Sequence, residues 1–346
     1  MRVMTYNMLH APGDRLQALL AVVREAAPDV LACQEIDDVA GLLELSLQLE
    51  MPAVVGHSNR PESPPDPEHV AILSRWPIER IHVHRGDPEA MFRPVLEVWV
   101  APPDGGLVGF FTVHFRARPG APGSEVKQRE ARHMADVLAQ ASGRFCALGD
   151  FNAWAPGEGE LSADRLANLP EDHRAAVRGG VIGALLALDL TDTWKQCHPA
   201  PEPIAPTLRD SATSRVDYIL ASRALATSVR TSDVIRSSFT ATASDHYPLL
   251  TTFTLAARPH VPHIPSAHPT SRHAPVATGR ASRTRDRLAT PRHSPLGIVH
   301  FPENVLSPTA VCEGTDRDHC VRACQSPLSK PAQPVAVAGL YAVVPR

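Results

Sequence analysis

The chain has 346 residues and a formal net charge of −3, and it is long enough for one large domain or two of ordinary size. Its charge is divided unevenly: residues 1–256 carry 23 basic and 32 acidic side chains, whereas residues 257–346 carry 11 and 5. The acidic first part counts against an extended surface that follows the phosphates of duplex nucleic acid.

The sequence shows no targeting or membrane-spanning segment. The apolar run from Val3 to Tyr6 is not part of a secretory signal, which would have a charged leader, a longer apolar region and a small-residue cleavage site. No stretch reaches the ~18 apolar residues that a membrane span needs. Cys33 and Cys146 lie inside apolar runs and are interpreted as small buried hydrophobic residues. We therefore expect a soluble, cytoplasmic protein that acts as a monomer.

Along the chain, apolar runs alternate with segments of helical periodicity. A first strand over residues 2–6 leads to a helix that Asp14 could cap and that Pro28 ends. Further strands are predicted over 29–33, 95–100, 107–113, 145–148, 215–220, 229–235 and 249–255, an apolar run stands at 70–73, and helices are predicted over 39–47, from Ser124 and near 160–168. Some strands follow one another directly, which indicates mixed sheets.

The last 90 residues differ from the rest of the chain. Residues 257–346 hold 13 of the 34 prolines and 7 of the 17 histidines, and they lack the apolar repetition that could offset the entropy of ordering. We predict one domain over residues 1–256 and a disordered Pro/His/Arg/Ser-rich tail over 257–346. A zinc site could be drawn from Cys312, His319, Cys320 and Cys324, but their spacing matches no compact zinc motif, so the tail interpretation is favoured.

Polar side chains recur where the predicted strands end. In Gly149-Asp150-Phe151-Asn152, a carboxylate and a carboxamide follow a buried strand at a spacing of two, so an extended backbone would point both to one side. The same stretch alone could be an ordinary turn. A functional site is favoured because other strand ends carry similar groups: Asn7, Glu35, His114, Asp217, Asp245 and His246.

The residue types in this set point to a metal-assisted reaction. Several carboxylates that converge on one point repel each other unless a cation lies among them. Carboxylate and carboxamide oxygens with few histidines suit Mg²⁺ or Mn²⁺ better than zinc. Asp245-His246 adds a group that can titrate near neutral pH beside the metal. Together these parts predict attack of water on a phosphate ester.

Seven short motifs, in order, carry a resemblance to a known family. They are Thr-Tyr-Asn7, Cys-Gln-Glu35, Ala-Ile-Leu-Ser-Arg75, Val-His114-Phe, Leu-Gly-Asp150-Phe-Asn152, Arg-Val-Asp217-Tyr and Ser-Asp245-His246-Tyr-Pro. With these motifs, residues 1 to about 255 resemble the endonuclease/exonuclease/phosphatase superfamily, which includes DNase I-like, exonuclease III-like, sphingomyelinase-like and inositol-phosphatase-like enzymes. The resemblance implies an α/β fold, a four-layer sandwich in which two packed mixed β-sheets are flanked by helices.

On the metal side of the site, the resemblance implies that Glu35 is the main ligand of Mg²⁺, or Mn²⁺, with Asn7 and Asp245 close to the ion. Leu9 stands where many members of the superfamily carry a second acidic residue after the first-strand asparagine. This departure weakens any expectation of two metal ions.

On the catalytic side, the resemblance implies that His246, oriented by Asp217, acts on the attacking water or on the phosphate. Asp150 and Asn152 would position the nucleophile and the phosphate and assist the leaving oxygen.

His114 would hydrogen-bond a non-bridging phosphate oxygen, with Glu68 as the residue that orients it. A histidine at this place fits the DNase I-like and sphingomyelinase-like branches, whereas abasic-site nucleases usually have tyrosine there. Ser214 likewise stands where some abasic-site enzymes have tryptophan. Abasic-site repair is therefore not favoured.

The sequence thus predicts a Mg²⁺-dependent phosphoesterase, with a phosphodiester as the favoured substrate and direct attack by water. Nucleic acid, a small phosphodiester and a lipid headgroup stay open as substrates. A phosphomonoesterase or a sphingomyelinase-like lipid phosphodiesterase is the alternative within the class. Outside the class, a catalytically dead scaffold of this fold is disfavoured because every acidic and histidine motif residue is present. The basic tail could also tether the domain to an acidic partner.

Overall fold

The computed structural model describes residues 1–59, 68–87, 91–103, 106–117, 121–158, 180–199, 203–211, 213–255, 298–299 and 342–343. Its strands are β1 (Arg2–Ala11), β2 (Val30–Ile36), β3 (Ala53–Gly56), β4 (His69–Ser74), β5 (Ile78–His84), β6 (Val95–Val100), β7 (Val108–His114), β8 (Phe145–Asp150), β9 (Leu190–Asp192), β10 (Asp217–Ser222), β11 (Val229–Val234) and β12 (Leu249–Phe253). Its helices are α1 (Leu16–Ala26), α2 (Val39–Leu49), α3 (Ala121–Ala139), α4 (Gly180–Leu186), α5 (Thr193–Cys197), α6 (Arg223–Ala226) and α7 (Thr240–Ala243).

These strands form two mixed sheets. The first has the order β11-β12-β1-β2-β4-β3, and the second has the order β5-β6-β7-β8-β10-β9. In each sheet one central pair is parallel, β1 with β2 and β7 with β8, while the other pairs are antiparallel. Because parallel strands put their carboxyl ends at the same edge, each sheet contributes two neighbouring strand ends to one side of the molecule.

Two short pieces of the C-terminal segment extend the first sheet. The dipeptides β13 (Ile298–Val299) and β14 (Ala342–Val343) pair with each other, and Ala342 lies opposite Val54 of β3. The rest of residues 256–346 falls outside the described residues, and so do the cysteines considered there as a zinc site. The predicted division into a domain and a disordered tail stays a prediction.

Three apolar clusters separate four layers. One cluster, which includes Leu20 and Leu31, lies between the first sheet and the helices α1 and α2. A second cluster lies between the sheets, where Ile72 of β4 and Val98 of β6 are fully buried. A third cluster, which includes Met134 of α3, packs α3 and α4 against the second sheet. The predicted four-layer α/β sandwich with two packed mixed sheets is therefore confirmed.

The local predictions differ from the structure mainly at element ends. The N-cap residue of helix α1 is Arg15, whose side chain forms no capping hydrogen bond. Asp14 lies in the preceding 3₁₀ turn, so the predicted Asp14 cap is wrong. Strand β2 continues through Gln34 and Glu35 to Ile36, whereas the strand predicted from the sequence ends at Cys33. The reason is that pairing with the neighbouring strands carries the polar residues on, which a rule based on apolar runs cannot detect.

A fully buried arginine holds the segment before β10. The guanidinium of Arg215 donates to both carboxylate oxygens of Glu158, at 2.6 and 3.1 Å, and also to the carboxylate of Asp192. The ring of Tyr218 lies 4.3 Å from the guanidinium carbon, and the Tyr218 hydroxyl donates to the Arg215 carbonyl at 2.8 Å. These contacts fix the backbone that enters β10 at Asp217. In the sequence, Arg215 stands out only as part of the motif Arg-Val-Asp217-Tyr, and its buried ion pairs were not predicted.

We expect the Arg215→Leu substitution to lower the free energy of unfolding by about 3–5 kcal/mol, because it removes the buried partner of Asp192 and leaves Glu158 with only the partly exposed Lys195 at 3.2 Å. Urea denaturation would measure the loss. The matched control is Arg223→Leu, since the Arg223 side chain is 86% exposed and pairs only at 3.6 Å with Asp189; it should change stability by less than about 0.5 kcal/mol. Equal losses in both variants would contradict the role assigned to Arg215.

Candidate active site

Strand register brings the polar residues of the second sheet into one row. His114, at the end of β7, lies opposite Asp150, the last residue of β8, and Asp150 lies opposite Asp217, the first residue of β10. In the first sheet, Asn7 lies opposite Gln34, and Glu35 follows directly. The alignment of four strand ends at one edge is the local reason why residues so distant in sequence meet.

A glycine makes the close approach of β7 and β8 possible. Gly149 has φ +140°, and a Cβ atom at this position would lie 2.1 Å from the backbone oxygen of Val113. No side chain can be accommodated there without moving one strand. Gly149 thereby allows Asp150 to stand beside His114.

The backbone is strained at this edge and hardly elsewhere. Positive φ values outside glycine occur at Leu9, His10, Glu35, Glu68 and Asn152, all at or next to the polar set. The other three described cases are Ala27, Glu50 and Asp189. Ala27 and Glu50 are left-handed C-caps of helices, where such angles are ordinary. Such strain costs about 1–3 kcal/mol per residue and is typical of functional sites.

Asn7 holds two carboxylates at once. Its buried amide nitrogen Nδ2 donates to Glu35 Oε1 at 2.9 Å and to Asp150 Oδ2 at 3.0 Å, while its oxygen Oδ1 accepts from the backbone of Leu9 at 3.0 Å. In this orientation Asn7 places the carboxylates and turns its own oxygen away from them. Its neighbour Gln34 links the two sheets, since its Nε2 donates to Thr112 Oγ1 at 3.0 Å.

Asp150 Oδ2 is the meeting point of the polar groups. Besides Asn7, it accepts from Asn152 Nδ2 at 3.1 Å, and the Nε2 atoms of His114 and His246 lie 3.6 and 3.9 Å away. Burial and the charge of Asp217 raise the pKa of the Asp150 carboxyl to about 7. In the protein without a bound cation, Asp150 therefore tends to retain a proton.

His246 forms a buried pair with Asp217. The Nδ1 atom of His246 lies 2.8 Å from Asp217 Oδ2, and both side chains are at least 94% buried. Burial disfavours the imidazolium, but the carboxylates of Asp217, Asp150 and Asp245 outweigh it and raise the pKa of His246 to about 10. His246 is consequently protonated at neutral pH in the protein without a cation.

His114 is enclosed without a hydrogen bond. Its Nε2 lies 3.6 Å from both Glu35 Oε1 and Asp150 Oδ2, and neither ring nitrogen has a hydrogen-bond partner among the described residues. Burial, followed by the charge of Arg93, lowers the pKa of His114 well below its usual value. Glu68 stands 3.9 Å from His114 Nδ1, which is too far for the expected hydrogen bond, and its carboxylate contacts Arg93.

Two sets of side chains could hold a cation. Glu35, His114 and Asp150 each offer a ligand atom within reach of one ion, and so do Asp150, Asp217 and His246. The unpaired nitrogens of His114 fit the first set, because a buried polar atom without a partner indicates a missing ligand. Asp245 belongs to neither set, although its charge reaches His246. The oxygen-rich donors suit a hard divalent ion.

Several residues that shape this site carried no sequence signal. The guanidinium of Arg93 lies beside Glu68 and His114, yet the residue follows no motif and only precedes the apolar run of β6. Lys127 of α3 donates to the Asn152 carbonyl at 2.6 Å. Only the place of Arg93, a basic residue just before a predicted strand, could have drawn attention to it in the sequence.

The fold and the site define a class of protein: a two-sheet α/β sandwich with acidic residues and histidines at the carboxyl ends of its central strands, typical of metal-dependent phosphoesterases. The sequence profile of the Endonuclease/Exonuclease/phosphatase family matches residues 4–246, and the chain belongs to this family of phosphoesterases. The resemblance seen in the sequence is thereby confirmed. No curated protein matches the chain.

Solved structures show the same fold. An AP endonuclease from Archaeoglobus fulgidus is 19% identical with a TM-score of 0.59 and covers 74% of this chain and 100% of its own. A family protein from Beutenbergia cavernae is 22% identical, with TM-score 0.55 and coverages of 72% and 70%. The 3′ phosphatase NExo from Neisseria, bound to a product DNA hairpin, is 22% identical, with TM-score 0.54 and coverages of 74% and 100%. At these identities the likeness concerns the fold.

Among the described residues, no helix is both long enough and apolar enough to cross a bilayer.

We expect Gly149→Ala to cost about 3 kcal/mol or more of folding stability, because its methyl group meets the β7 backbone in addition to the unfavourable φ. Gly143→Ala is the matched control, since Gly143 has φ +84° but nothing within 4 Å of the added atom. It should cost only the ~1–2 kcal/mol of the backbone conformation. Urea denaturation of both variants measures the difference, and equal losses would show that the close approach imposes no constraint.

We also expect Mg²⁺ binding to strengthen as pH rises and to level off above about 7, because the raised pKa of Asp150 keeps that carboxyl protonated below this value. Calorimetry at several pH values, in two buffers of different ionisation enthalpy, would show protons released on binding. Asp150→Asn, which cannot release this proton, should bind weakly and with little dependence on pH. A wild-type affinity that is constant from pH 5.5 to 8 would contradict the prediction.

Proposed function

We propose that this protein is a Mg²⁺-dependent phosphodiesterase in which water attacks the phosphorus directly. One observation carries the proposal: two amide groups and two imidazoles surround a single buried carboxylate oxygen, Asp150 Oδ2, at 3.0–3.9 Å. Such a cluster binds a cation on one side and presents hydrogen-bond donors to an anion on the other.

In this proposal Glu35 and Asp150 hold the ion, with Asn7 orienting both carboxylates and Asp245 adding negative charge nearby. Mn²⁺ could replace Mg²⁺, since the donors are the same. The bound ion would supply charge neutralisation for the phosphate oxygens and a lower pKa for a bound water.

The remaining steps, which are binding the phosphate and positioning the water, would fall to His246, Asp150 and Asn152. His246 keeps its positive charge through Asp217, so its Nε2–H is suited to donate to a phosphate oxygen rather than to accept a proton. Asp150 would lose its proton when it holds the ion, and its carboxylate would then position the attacking water beside the phosphate. Asn152, whose amide is held by the Phe115 carbonyl at 3.0 Å, limits the motion of the Asp150 carboxylate.

The proposed substrate is a phosphodiester, either in a nucleic acid or in a small molecule. The similarity of fold to a phosphatase structure that holds a DNA product supports nucleic acid as one candidate. The acidic balance of residues 1–256 favours a small diester or a single-stranded end over a long duplex. The monomeric state and the cytoplasmic location stay predictions.

Hydrolysis of bis-p-nitrophenyl phosphate and p-nitrophenyl phosphate with Mg²⁺, Mn²⁺ or EDTA tests the proposal. We expect metal-dependent turnover of the diester, and a fall of about 10²–10³-fold in kcat for His246→Ala, because one donor to the transition state is lost. His82→Ala, which changes an exposed histidine of the edge strand β5, is the control and should keep full activity. Turnover of the monoester alone would assign the protein as a phosphomonoesterase.

Metal binding itself has a separate readout. We expect Mg²⁺ to raise the melting temperature, since a ligand that binds only the folded state stabilises it. Glu35→Gln should abolish the rise, whereas Glu25→Gln, on the exposed side of α1, should retain it. If the wild type hydrolyses neither ester and Mg²⁺ leaves its melting temperature unchanged, the metal site is refuted and the scaffold interpretation leads.

A further inference from the structure

Two histidines lie side by side on β5, the edge strand of the second sheet. His82 and His84 are two residues apart, so both point to the same face of the strand. The centroids of their rings are 4.2 Å apart. This face is the outer one, since Trp99 of the neighbouring strand β6 shares it and packs in the apolar cluster with α3. Neither histidine belongs to the candidate active site.

A carboxylate of β6 holds one of the two rings. Glu97 lies directly opposite His82 in the strand register, and its Oε2 is 2.7 Å from His84 Nε2. Its Oε1 accepts a hydrogen bond from the indole nitrogen of Trp99. Burial by itself raises the pKa of Glu97, but the hydrogen bonds from His84 and Trp99 outweigh it and bring the pKa below its usual value. The carboxylate is therefore ionised at neutral pH and acts only as an acceptor.

The fixed carboxylate determines which nitrogen of His84 can bind a ligand. Because Glu97 only accepts, the proton of a neutral His84 lies on Nε2, and Nδ1 carries a lone pair. Partial burial, followed by the positive charge that His84 can carry, lowers the pKa of His82. His82 is therefore neutral at pH 7 and offers a lone pair of its own.

Two lone pairs beside an ionised carboxylate indicate a cation as the ligand. A metal-bound histidine usually donates its second ring nitrogen to a carboxylate, which fixes the tautomer and raises the basicity of the ligand nitrogen. His84 and Glu97 form this arrangement, and Trp99 holds the carboxylate in turn. The guanidinium of Arg80, on the same face, lies over the ring of Trp99, 4.6 Å from its centroid.

We propose that His82 and His84 chelate a divalent transition-metal ion, Zn²⁺ or Cu²⁺, with Glu97 as the carboxylate that orients His84. After a small rotation of the exposed His82 ring, one ion lies about 2.1 Å from a nitrogen of each imidazole, and water fills its other positions. Imidazole nitrogens select such ions over Mg²⁺, which prefers oxygen ligands. The bound ion joins two positions of β5 and, through Glu97, fastens this edge strand to β6.

The inference goes beyond the proposed function and does not depend on it. The two sites differ in their residues, in their ion and in the face of the sheet on which they lie. With Mg²⁺ as the metal, the histidine pair binds no ion, so the hydrolysis of an ester neither requires this site nor reports on it.

Calorimetric titration of Zn²⁺ into the Mg²⁺-saturated protein tests the proposal. We expect Glu97→Gln to raise the dissociation constant of the site about 10–100-fold, because the group that orients His84 loses its charge. His82→Ala and His84→Ala should raise it at least as much, since each removes one of the two ligands. Glu79→Gln is the matched control: it changes an exposed carboxylate of the same strand and should bind Zn²⁺ like the wild type.

A chemical footprint locates the bound ion in the wild-type protein, so it decides the proposal even where a variant is unstable. Diethyl pyrocarbonate modifies accessible imidazoles, and mass spectrometry of the peptides reports each histidine separately. We expect Zn²⁺ to protect the exposed His82 from modification, and Mg²⁺ alone to leave it reactive.

Two results overturn the inference: equal Zn²⁺ affinity in the wild type and in folded His82→Ala, or a His82 that reacts equally with and without Zn²⁺. Any zinc that still binds is then held by the candidate active site or by the seven histidines of residues 257–346. Loss of affinity in both histidine variants, together with protection of His82 in the wild type, supports the chelate.

Discussion

Repulsion between buried carboxylates is the constraint on which this structure depends. Glu35, Asp150 and Asp217 reach one edge of the two sheets, where little water is left to screen them. In the protein without a cation, the repulsion is relieved by protons: Asp150 has a raised pKa, and His246 stays charged. A cation would relieve it without protons, which is why the same arrangement serves both stability and binding.

Hydrogen bonds from neighbouring segments hold the strands and loops of this edge in position. The guanidinium of Arg15 donates to the carbonyls of Met8, Leu9 and Ala243, and Ser244 Oγ donates to the Asn7 carbonyl at 2.8 Å. These bonds join the strained end of β1 to the turn that carries His246. Side chains outside the site thus help to hold the strained backbone of this edge.

The sequence could predict what is local. Apolar runs and helical periodicity indicated most strands, and polar residues at strand ends indicated Asn7, Glu35 and Asp150, because both signals lie within a few residues of chain. The short strands β3 and β9 and the polar edge strand β5 gave no such pattern, since pairing alone defines them. The direction of the Asn7 amide and the contact of Glu68 with Arg93 depend on residues far apart in sequence, and no spacing rule reports them.

In the proposed function, a domain with an excess of acidic residues binds an anionic ester, so the attraction for the ester has to come from groups at the site itself. Charges on an exposed surface are screened over about 8 Å at physiological ionic strength, whereas enclosed charges act at nearly full strength. The excess of acidic residues over 1–256 therefore matters less to a bound phosphate than Arg93 and His246, which lie at the site itself and are mostly buried. Under the proposed function, this difference disfavours long polyanions as substrates, because they must also cross the acidic surface, and the affinity for a single phosphate group would come from the enclosed cations.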